Sequence, residues 1–275
     1  MMQTGIFAKT FAGNNPLQVL QAAKAAGFAT VQFNLACCGL PSMPDEIAPE
    51  TPIAIAGASA KAGVSISAIS ATYNMIHPSH KVRKTGLRQL GEIIANAKAM
   101  GTSLVTLCTG SRDATDQWRH HPENRSEGAW HDLRTELAKA LVLAEQHGVN
   151  LGIEPELANV VNSAAIAALL LKEMQSPNLR IILDPANLFE TANAAENKTI
   201  IAEAIDLLAP HIAMAHAKDR NAKGAFVAAG RGVIDFKHFT ERLRASGFDG
   251  PLVAHGLAEA EAVGVAKFLH RVLAP

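Results

Sequence analysis

Short apolar runs rich in β-branched residues alternate along the chain with longer segments in which apolar residues recur at helical spacing. Glycine and proline residues typical of turns separate the two kinds of segment. The predicted strands span 4–9, 28–35, 64–71, 103–108, 150–154, 179–184, 212–216 and 251–254. The predicted helices span 16–26, 52–62, 82–100, 130–147, 163–174, 199–208, 236–246 and 257–273. The pattern therefore predicts eight successive strand–helix units.

Alternation of strands and helices predicts an α/β fold in which parallel strands are joined by crossover helices. A count of eight favours a closed (β/α)₈ TIM barrel over an open, doubly wound sheet. The 275 residues agree with the roughly 250 that such a barrel needs. Because we find neither an interdomain linker nor a low-complexity run, we expect one barrel domain over residues 1–275.

The longest irregular segments, 36–50, 109–128 and 218–233, all follow predicted strands. In a parallel barrel these segments rise from the face formed by the carboxyl ends of the strands, which is where barrel active sites lie. We therefore expect the functional residues on this face.

Composition narrows the classes of partner. The 25 basic and 25 acidic side chains give a formal net charge of zero, so the chain lacks the basic excess that nucleic acids or an anionic membrane surface attract. Three cysteines without CxxC spacing indicate a reducing compartment. The sequence shows neither a signal-peptide pattern nor a long apolar run, so we expect a cytoplasmic protein. A homo-oligomer is compatible with the sequence.

Four chemically reactive side chains stand at or just after the ends of four consecutive predicted strands: Glu154, Asp184, His216 and His255. One such acid often caps a helix, and one such histidine is often structural. The joint occurrence of all four instead predicts a metal site, because carboxylate oxygens and imidazole nitrogens are ligands of Mn²⁺, Mg²⁺, Co²⁺ or Zn²⁺. The ligand set does not choose among these ions.

Nearly the whole chain resembles the sugar phosphate isomerase/epimerase family, also called the xylose isomerase-like TIM barrels. The motifs that carry the resemblance are AEQHGVNLGIEPE, RIILDPANL, IAMAHAKD and GRGVIDFKHFTERLRASGFDGPLV. The resemblance implies that Glu154, Asp184 and His216 bind one divalent metal ion with a fourth ligand after the eighth strand. It also implies proton abstraction next to a carbonyl and an enediolate, with two Glu residues as the acid and base.

Two residues depart from the family pattern. His255 stands where the family has the second Glu, so Glu154 and His255 become the predicted catalytic pair, with His255 as a neutral metal ligand or an acid/base group. Asn187 stands where many members have His; it could bond to a substrate hydroxyl or cap the following segment.

Further residues are candidates for substrate binding. Glu156 follows Glu154 by two residues, and Lys218, Arg220 and Arg231 lie in or after the HAKD segment, which the resemblance places along the pocket. Each could equally be a solvated loop charge.

Three aromatic residues complete the candidates for substrate binding. Trp118 and His121 lie in the loop after the fourth strand, where they could cover a sugar-like ligand. Tyr73 follows the third strand and is the only tyrosine in the chain.

The sequence thus predicts a metal-dependent isomerase or epimerase acting on a small sugar or polyol. A keto-polyol dehydratase of the same family remains open, because it begins with the same proton abstraction. A sugar-binding barrel without turnover also remains open, because His255 replaces the expected Glu. An endonuclease IV-type repair enzyme is disfavoured by the zero net charge and by Asn187 in place of a ligand.

Overall fold

A computed structural model describes residues 2–274. Its strands are β1 (Gln3–Phe7), β2 (Thr30–Phe33), β3 (Ser65–Ser70), β4 (Leu104–Leu107), β5 (Asn150–Ile153), β6 (Leu179–Leu183), β7 (Ile212–Arg220), β8 (Phe226–Ala228) and β9 (Pro251–Ala254). Its α-helices are α1 (Pro16–Ala26), α2 (Glu50–Ala62), α3 (His80–Ala97), α4 (Glu127–His147), α5 (Ala164–Met174), α6 (Ala194–Leu208), α7 (Phe236–Ala245) and α8 (Ala262–Leu273). Short 3₁₀ turns follow several strands.

Eight parallel strands close into a barrel. Strands β1 to β7 pair in chain order, β7 pairs with β9, and β9 pairs with β1. Helices α1 to α7 lie between successive barrel strands in the chain, as parallel crossovers require, and α8 follows β9. The predicted (β/α)₈ TIM barrel is confirmed. Among residues 2–274, no helix is both long and apolar enough to cross a membrane.

The local sequence explains where the elements begin and end. All four residues of β2 and of β4 are buried, as expected for parallel strands that face the barrel interior on one side and helices on the other. Helix α1 begins where the Asn15 side chain accepts hydrogen bonds from the backbone of Leu17 and Gln18, and it ends at Gly27, whose φ of 102° favours glycine.

Strand β7 extends beyond its predicted end. It continues to Arg220 because β8 pairs with its last residues in antiparallel register, opposite Lys218, Asp219 and Arg220. The segment predicted to be irregular over 218–233 therefore contains a β-hairpin. Helix α6 also begins earlier than predicted, because Asn193 and Glu196 form a capping box.

A cluster of buried apolar side chains supports the face on which functional residues were expected. Five strands contribute to it, with Ala68, Leu104, Ile182, Met214 and Val253 as its buried members. Met214 precedes His216 by two residues on β7, so the two side chains share one face of the strand. The barrel below this face is therefore packed rather than hollow.

Candidate active site

Three of the predicted metal ligands meet at the carboxyl ends of neighbouring strands. Glu154 directly follows β5, Asp184 directly follows β6, and His216 lies on β7. One ligand atom from each residue lies within 4.8 Å of the others. His216 Nδ1 is 3.1 Å from Glu154 Oε1 and 3.9 Å from Asp184 Oδ2.

These three residues have the chemistry of a divalent-cation site. Asp184 Oδ1 accepts a hydrogen bond from the Ala186 backbone N–H, whereas the buried Oδ2 accepts none from the described residues. Two carboxylates and an imidazole supply the oxygen and nitrogen ligands that such ions take. The residues present therefore fit a divalent cation, and Asp184 Oδ2, whose near neighbours are the Lys218 ammonium and His216 Nδ1, is the Asp184 oxygen that faces the cluster.

Polar groups surround the cluster and connect its carboxylates. Lys218 Nζ lies 3.2 Å from Asp184 Oδ2 and 3.8 Å from Glu156 Oε1. The Asn187 side-chain amide donates to Glu154 Oε1 at 2.8 Å and to Glu156 Oε1 at 2.7 Å. A single amide nitrogen therefore holds Glu154 and Glu156 side by side.

Burial and charge separate the pKa values of the two neighbouring glutamates. Burial opposes ionisation of Glu154, but the charges of His216 and Lys218 outweigh it and lower the pKa of Glu154 to about 2. Burial and the charge of Glu154 raise the pKa of Glu156 to about 7. Glu154 is thus a carboxylate at neutral pH, whereas Glu156 exchanges a proton in that range.

His255, the predicted fourth ligand, lies beside the cluster. Its ring stacks with Phe7, at a centroid distance of 5.1 Å, and with His216, at 5.2 Å. The cluster found among the described residues contains Glu154, Asp184 and His216 but not His255. Burial and the nearby His216 lower the pKa of His255 to about 3, so its imidazole is neutral at pH 7.

A cavity of about 280 Å³ opens beside these residues, a size near the lower end for small-ligand pockets. Glu154, Glu156, His216 and His255 contribute to its wall, together with the partly exposed Trp118. Sequence reasoning missed the uncharged polar part of the wall, which consists of Gln32, Asn34, Ser42, Ser70, Thr72 and Thr106. Polar residues such as Gln32 inside an otherwise apolar parallel strand were the available signal.

The xylose isomerase-like TIM barrel family matches the chain over residues 20–268. The chain belongs to this family. Solved structures of similar fold include the 3-keto-D-glucoside 4-epimerase of E. coli, at 17% identity and a TM-score of 0.76, with 99% of each chain covered. An L-ribulose 3-epimerase has 20% identity and a TM-score of 0.77, and the match covers 99% of this chain and 95% of that one.

A Bacillus anthracis protein described as the probable 3-DHS dehydratase of petrobactin synthesis has 16% identity and a TM-score of 0.77, over 98% of this chain and 99% of that one. At these identities, the structural likenesses establish the fold. No curated protein sequence matches the chain.

The structure of this xylose isomerase-like barrel does not bring every predicted residue to the cavity. The Tyr73 hydroxyl donates to Glu136 of α4, 3.4 Å away, on the outer side of the barrel wall. The half-buried His121 accepts a hydrogen bond from the Glu123 backbone and begins a 3₁₀ turn. Neither residue therefore lines the cavity beside Glu154, and the contacts described for them are with Glu136 and with the Glu123 backbone.

Two predicted arginines also lie apart from the cavity wall. Arg220 donates from its guanidinium to the carbonyl oxygens of Ala186 and Gly224, and its side chain lies over the Phe226 ring. It therefore braces the β7–β8 hairpin. Arg231 is exposed and lines a separate surface cavity against α8.

Proposed function

We propose that this barrel is a divalent-metal-dependent isomerase or epimerase acting on a small sugar or polyol next to a carbonyl group. The convergence of Glu154, Asp184 and His216 beside a polar cavity carries the proposal. The epimerases of the same fold support the class of reaction. The cavity volume favours one small substrate molecule.

Glu154, Asp184 and His216 would hold the cation, with His255 as the further ligand that the family resemblance implies. When bound, the ion would supply a Lewis acid that polarises the substrate carbonyl and stabilises negative charge on its oxygen. Lys218, with its ammonium group 3.2 Å from Asp184 Oδ2, adds a fixed positive charge near the same place. Asn187 keeps the two glutamates in their relative positions.

Proton transfer is assigned to groups whose protonation states suit each half of the reaction. The ionised Glu154 accepts the proton from the carbon beside the carbonyl, which leaves an enediolate. His255 was the expected second group, but its neutral ring can accept a proton and has no extra proton to donate at pH 7. Glu156, which lines the cavity and whose pKa is raised to about 7, is therefore the proposed donor. Because Glu156 lies beside Glu154, this pair suits an isomerase, which can return the proton on the side from which it left; inversion by an epimerase needs a donor on the opposite side.

A keto-polyol dehydratase is the second candidate, and one observation favours it specifically. Because a single Asn187 nitrogen binds both Glu154 and Glu156, the two carboxyl groups approach substrate from the same side. One could accept the proton while the other protonates a departing hydroxyl on that side. The protein described as a dehydratase shares the fold.

The decisive experiment combines metal analysis with proton exchange. We expect one divalent ion per chain, together with solvent deuterium entering the position next to the carbonyl of one sugar in a broad panel. Glu154→Gln and Asp184→Asn should lose both metal and exchange, whereas Glu203→Gln, a matched change at an exposed site on α6, should keep both. Loss of water from the substrate would identify the dehydratase.

Equal metal content in all variants would contradict the proposed ligand set. Metal binding without exchange or turnover across the panel would instead support the sugar-binding barrel that His255 left open.

A further inference from the structure

Two polar side chains of the cavity wall lie on the side away from the candidate metal ligands. Asn34 directly follows β2, which is separated from β6 by β3, β4 and β5 in one direction and by β1, β9 and β7 in the other. Asn34 therefore lies across the mouth of the barrel from Asp184, which follows β6. The half-buried Ser42 lines the same cavity. The proposed metal binding and proton transfers involve neither Asn34 nor Ser42.

Hydrogen bonds fix the direction of the Asn34 side-chain amide. Its Oδ1 accepts from the Ala36 backbone N–H at 3.0 Å and from the Ser42 hydroxyl at 2.8 Å. Because a backbone N–H can only donate, the amide atom that faces Ala36 is the oxygen. Asn34 Nδ2 has no hydrogen-bond partner among residues 2–274, although only 4% of the residue is exposed. This nitrogen is accessible from the cavity and is a free donor there.

The bond between Asn34 and Ser42 also fixes what Ser42 offers to a ligand. A serine hydroxyl carries one hydrogen, and Ser42 donates that hydrogen to Asn34 Oδ1. Its oxygen therefore has only lone pairs left for the cavity. A ligand group that pairs with both residues must accept from Asn34 and donate to Ser42. A hydroxyl does both, whereas a carboxylate only accepts and an ammonium only donates.

We propose that Asn34 and Ser42 are specificity-determining residues that together bind one hydroxyl group of the substrate, remote from its reacting carbonyl. The inference rests on the proposed function, which places that carbonyl beside Glu154, Asp184 and His216. It narrows the substrate class to hydroxycarbonyl compounds whose far end carries an uncharged hydroxyl where it meets Asn34.

The discrimination comes from what a wrong group leaves unpaired. Water both donates and accepts, so it can satisfy Asn34 and Ser42 in the free protein, and a substrate hydroxyl replaces it without loss. A hydrogen atom in place of that hydroxyl leaves a donor and an acceptor unpaired in the wall. We therefore expect the matching deoxy substrate to react about 10- to 100-fold more slowly.

Two variants and one control test the pair. Ser42→Ala removes the acceptor, while the Ala36 N–H still holds Asn34 Oδ1 in place. Asn34→Asp keeps that oxygen and replaces the Nδ2 donor by a second acceptor. Ser103→Ala is the matched control, because Ser103 is exposed and precedes β4 at the opposite end of the barrel.

The first measurement is kcat/KM for the ketohexose that turns over fastest in the exchange panel and for each of its monodeoxy forms. Wild type and Ser103→Ala should lose about 10- to 100-fold with one monodeoxy form. Ser42→Ala should lose a similar factor with the parent ketohexose and stay within about twofold of wild type with that deoxy form. Equal losses with all these substrates, or no loss with any, would overturn the proposal.

The second measurement reverses the preference. Asn34→Asp presents two acceptors, so it should favour the amino form of the same substrate, with an ammonium in place of the bound hydroxyl, at least about 10-fold more than wild type does. An unchanged preference would refute the proposal. If Ser42→Ala does not fold, as judged by circular dichroism, this comparison decides alone.

Lys9 supplies the competing interpretation, because it is an exposed cation in the same cavity wall. If wild type prefers the terminal carboxylate or phosphate form of the ketohexose and Lys9→Met abolishes that preference, an acidic group is recognised and the proposal is wrong.

A readout without turnover separates this proposal from the proposed function. Wild type that shows no exchange with any ketohexose refutes the proposed function. Saturation-transfer NMR with the same ketohexoses then tests the hydroxyl site: transfer that is kept in Ser103→Ala and lost in Ser42→Ala supports it, and equal transfer in both variants, or none in wild type, overturns it.

Discussion

Replacement of Asp219 by asparagine should destabilise the hairpin that borders the site. Asp219 lies on β7 with none of its surface exposed, and its carboxylate accepts four backbone hydrogen bonds. Oδ1 accepts from Arg220 at 2.8 Å and Ile234 at 3.1 Å, and Oδ2 accepts from Gly230 at 3.1 Å and Gly232 at 2.9 Å. These bonds tie the segment after β8 to the end of β7.

The size of the expected loss of stability follows from the two hydrogen bonds that each carboxylate oxygen of Asp219 accepts. In Asp219→Asn, an NH₂ group replaces one carboxylate oxygen and faces two backbone N–H donors that it cannot satisfy. Hydrogen bonds to a charged group contribute about 1.5–3 kcal/mol each, so losing two costs about 3–6 kcal/mol. The neutral amide avoids the cost of burying a charge, which places the expected loss near the lower end, about 3 kcal/mol.

Urea unfolding of the purified variant measures this loss. With a slope of about 3 kcal/mol per molar urea, the midpoint should fall by about 1 M. Asp249→Asn makes the same charge change at an exposed position and should shift stability by less than about 0.5 kcal/mol. Equal unfolding midpoints for the two variants would refute the conclusion that the Asp219 carboxylate holds the segment after β8 against the end of β7.

Two further substitutions test other parts of the structure. Tyr73→Phe should leave turnover within about twofold of wild type and cost about 1 kcal/mol of stability, because the Tyr73 hydroxyl contacts Glu136 and not the cavity. Steady-state kinetics and urea unfolding measure the two effects. A large loss of turnover would contradict this placement of Tyr73. Asp132→Asn should cost about 2 kcal/mol at pH 7, because the Asp132 carboxylate pairs with two largely buried arginine side chains. Burial raises the pKa of Asp132, but the two arginines outweigh burial and bring this pKa below the ordinary value of an aspartate. The ion pairs therefore stabilise the fold fully at a pH above the ordinary pKa. This stabilisation is lost as the pH falls through the pKa of Asp132 in the folded protein. The difference in unfolding free energy between wild type and this variant should therefore shrink in acid, and a pH-independent difference would count against the ion pairs.

Local patterns predicted the barrel well because each strand–helix unit carries its own signals. The helix over 16–26 has the predicted bounds, since Asn15 and Gly27 act within a few residues of its ends. Strand β7 was predicted too short, because its last residues pair with β8 across a turn and carry no apolar run of their own. Pairing partners that lie outside the local window decided that boundary.

For the candidate site, too, the sequence predicted which residues take part, whereas the tertiary structure decided their contacts. Glu154, Asp184 and His216 were selected from the sequence because parallel strands end at one face of the barrel, and the structure brings them within 4.8 Å of one another. Glu156, Asn187 and Lys218 also came from the sequence, but their contacts with the cluster depend on side-chain packing across the barrel.

The sequence by itself determined the (β/α)₈ barrel, the functional face and the residues that end the strands, because strand and helix periods and turn residues act over short distances. Only the tertiary structure decided that His255 stacks on His216, that Tyr73 faces α4 and that Gln32 reaches His216 from the far side of the barrel. Gln32 and His216 are separated by 184 residues along the chain. Such contacts depend on strand register and on the direction of each side chain after the barrel closes, and neither quantity is encoded in a local pattern.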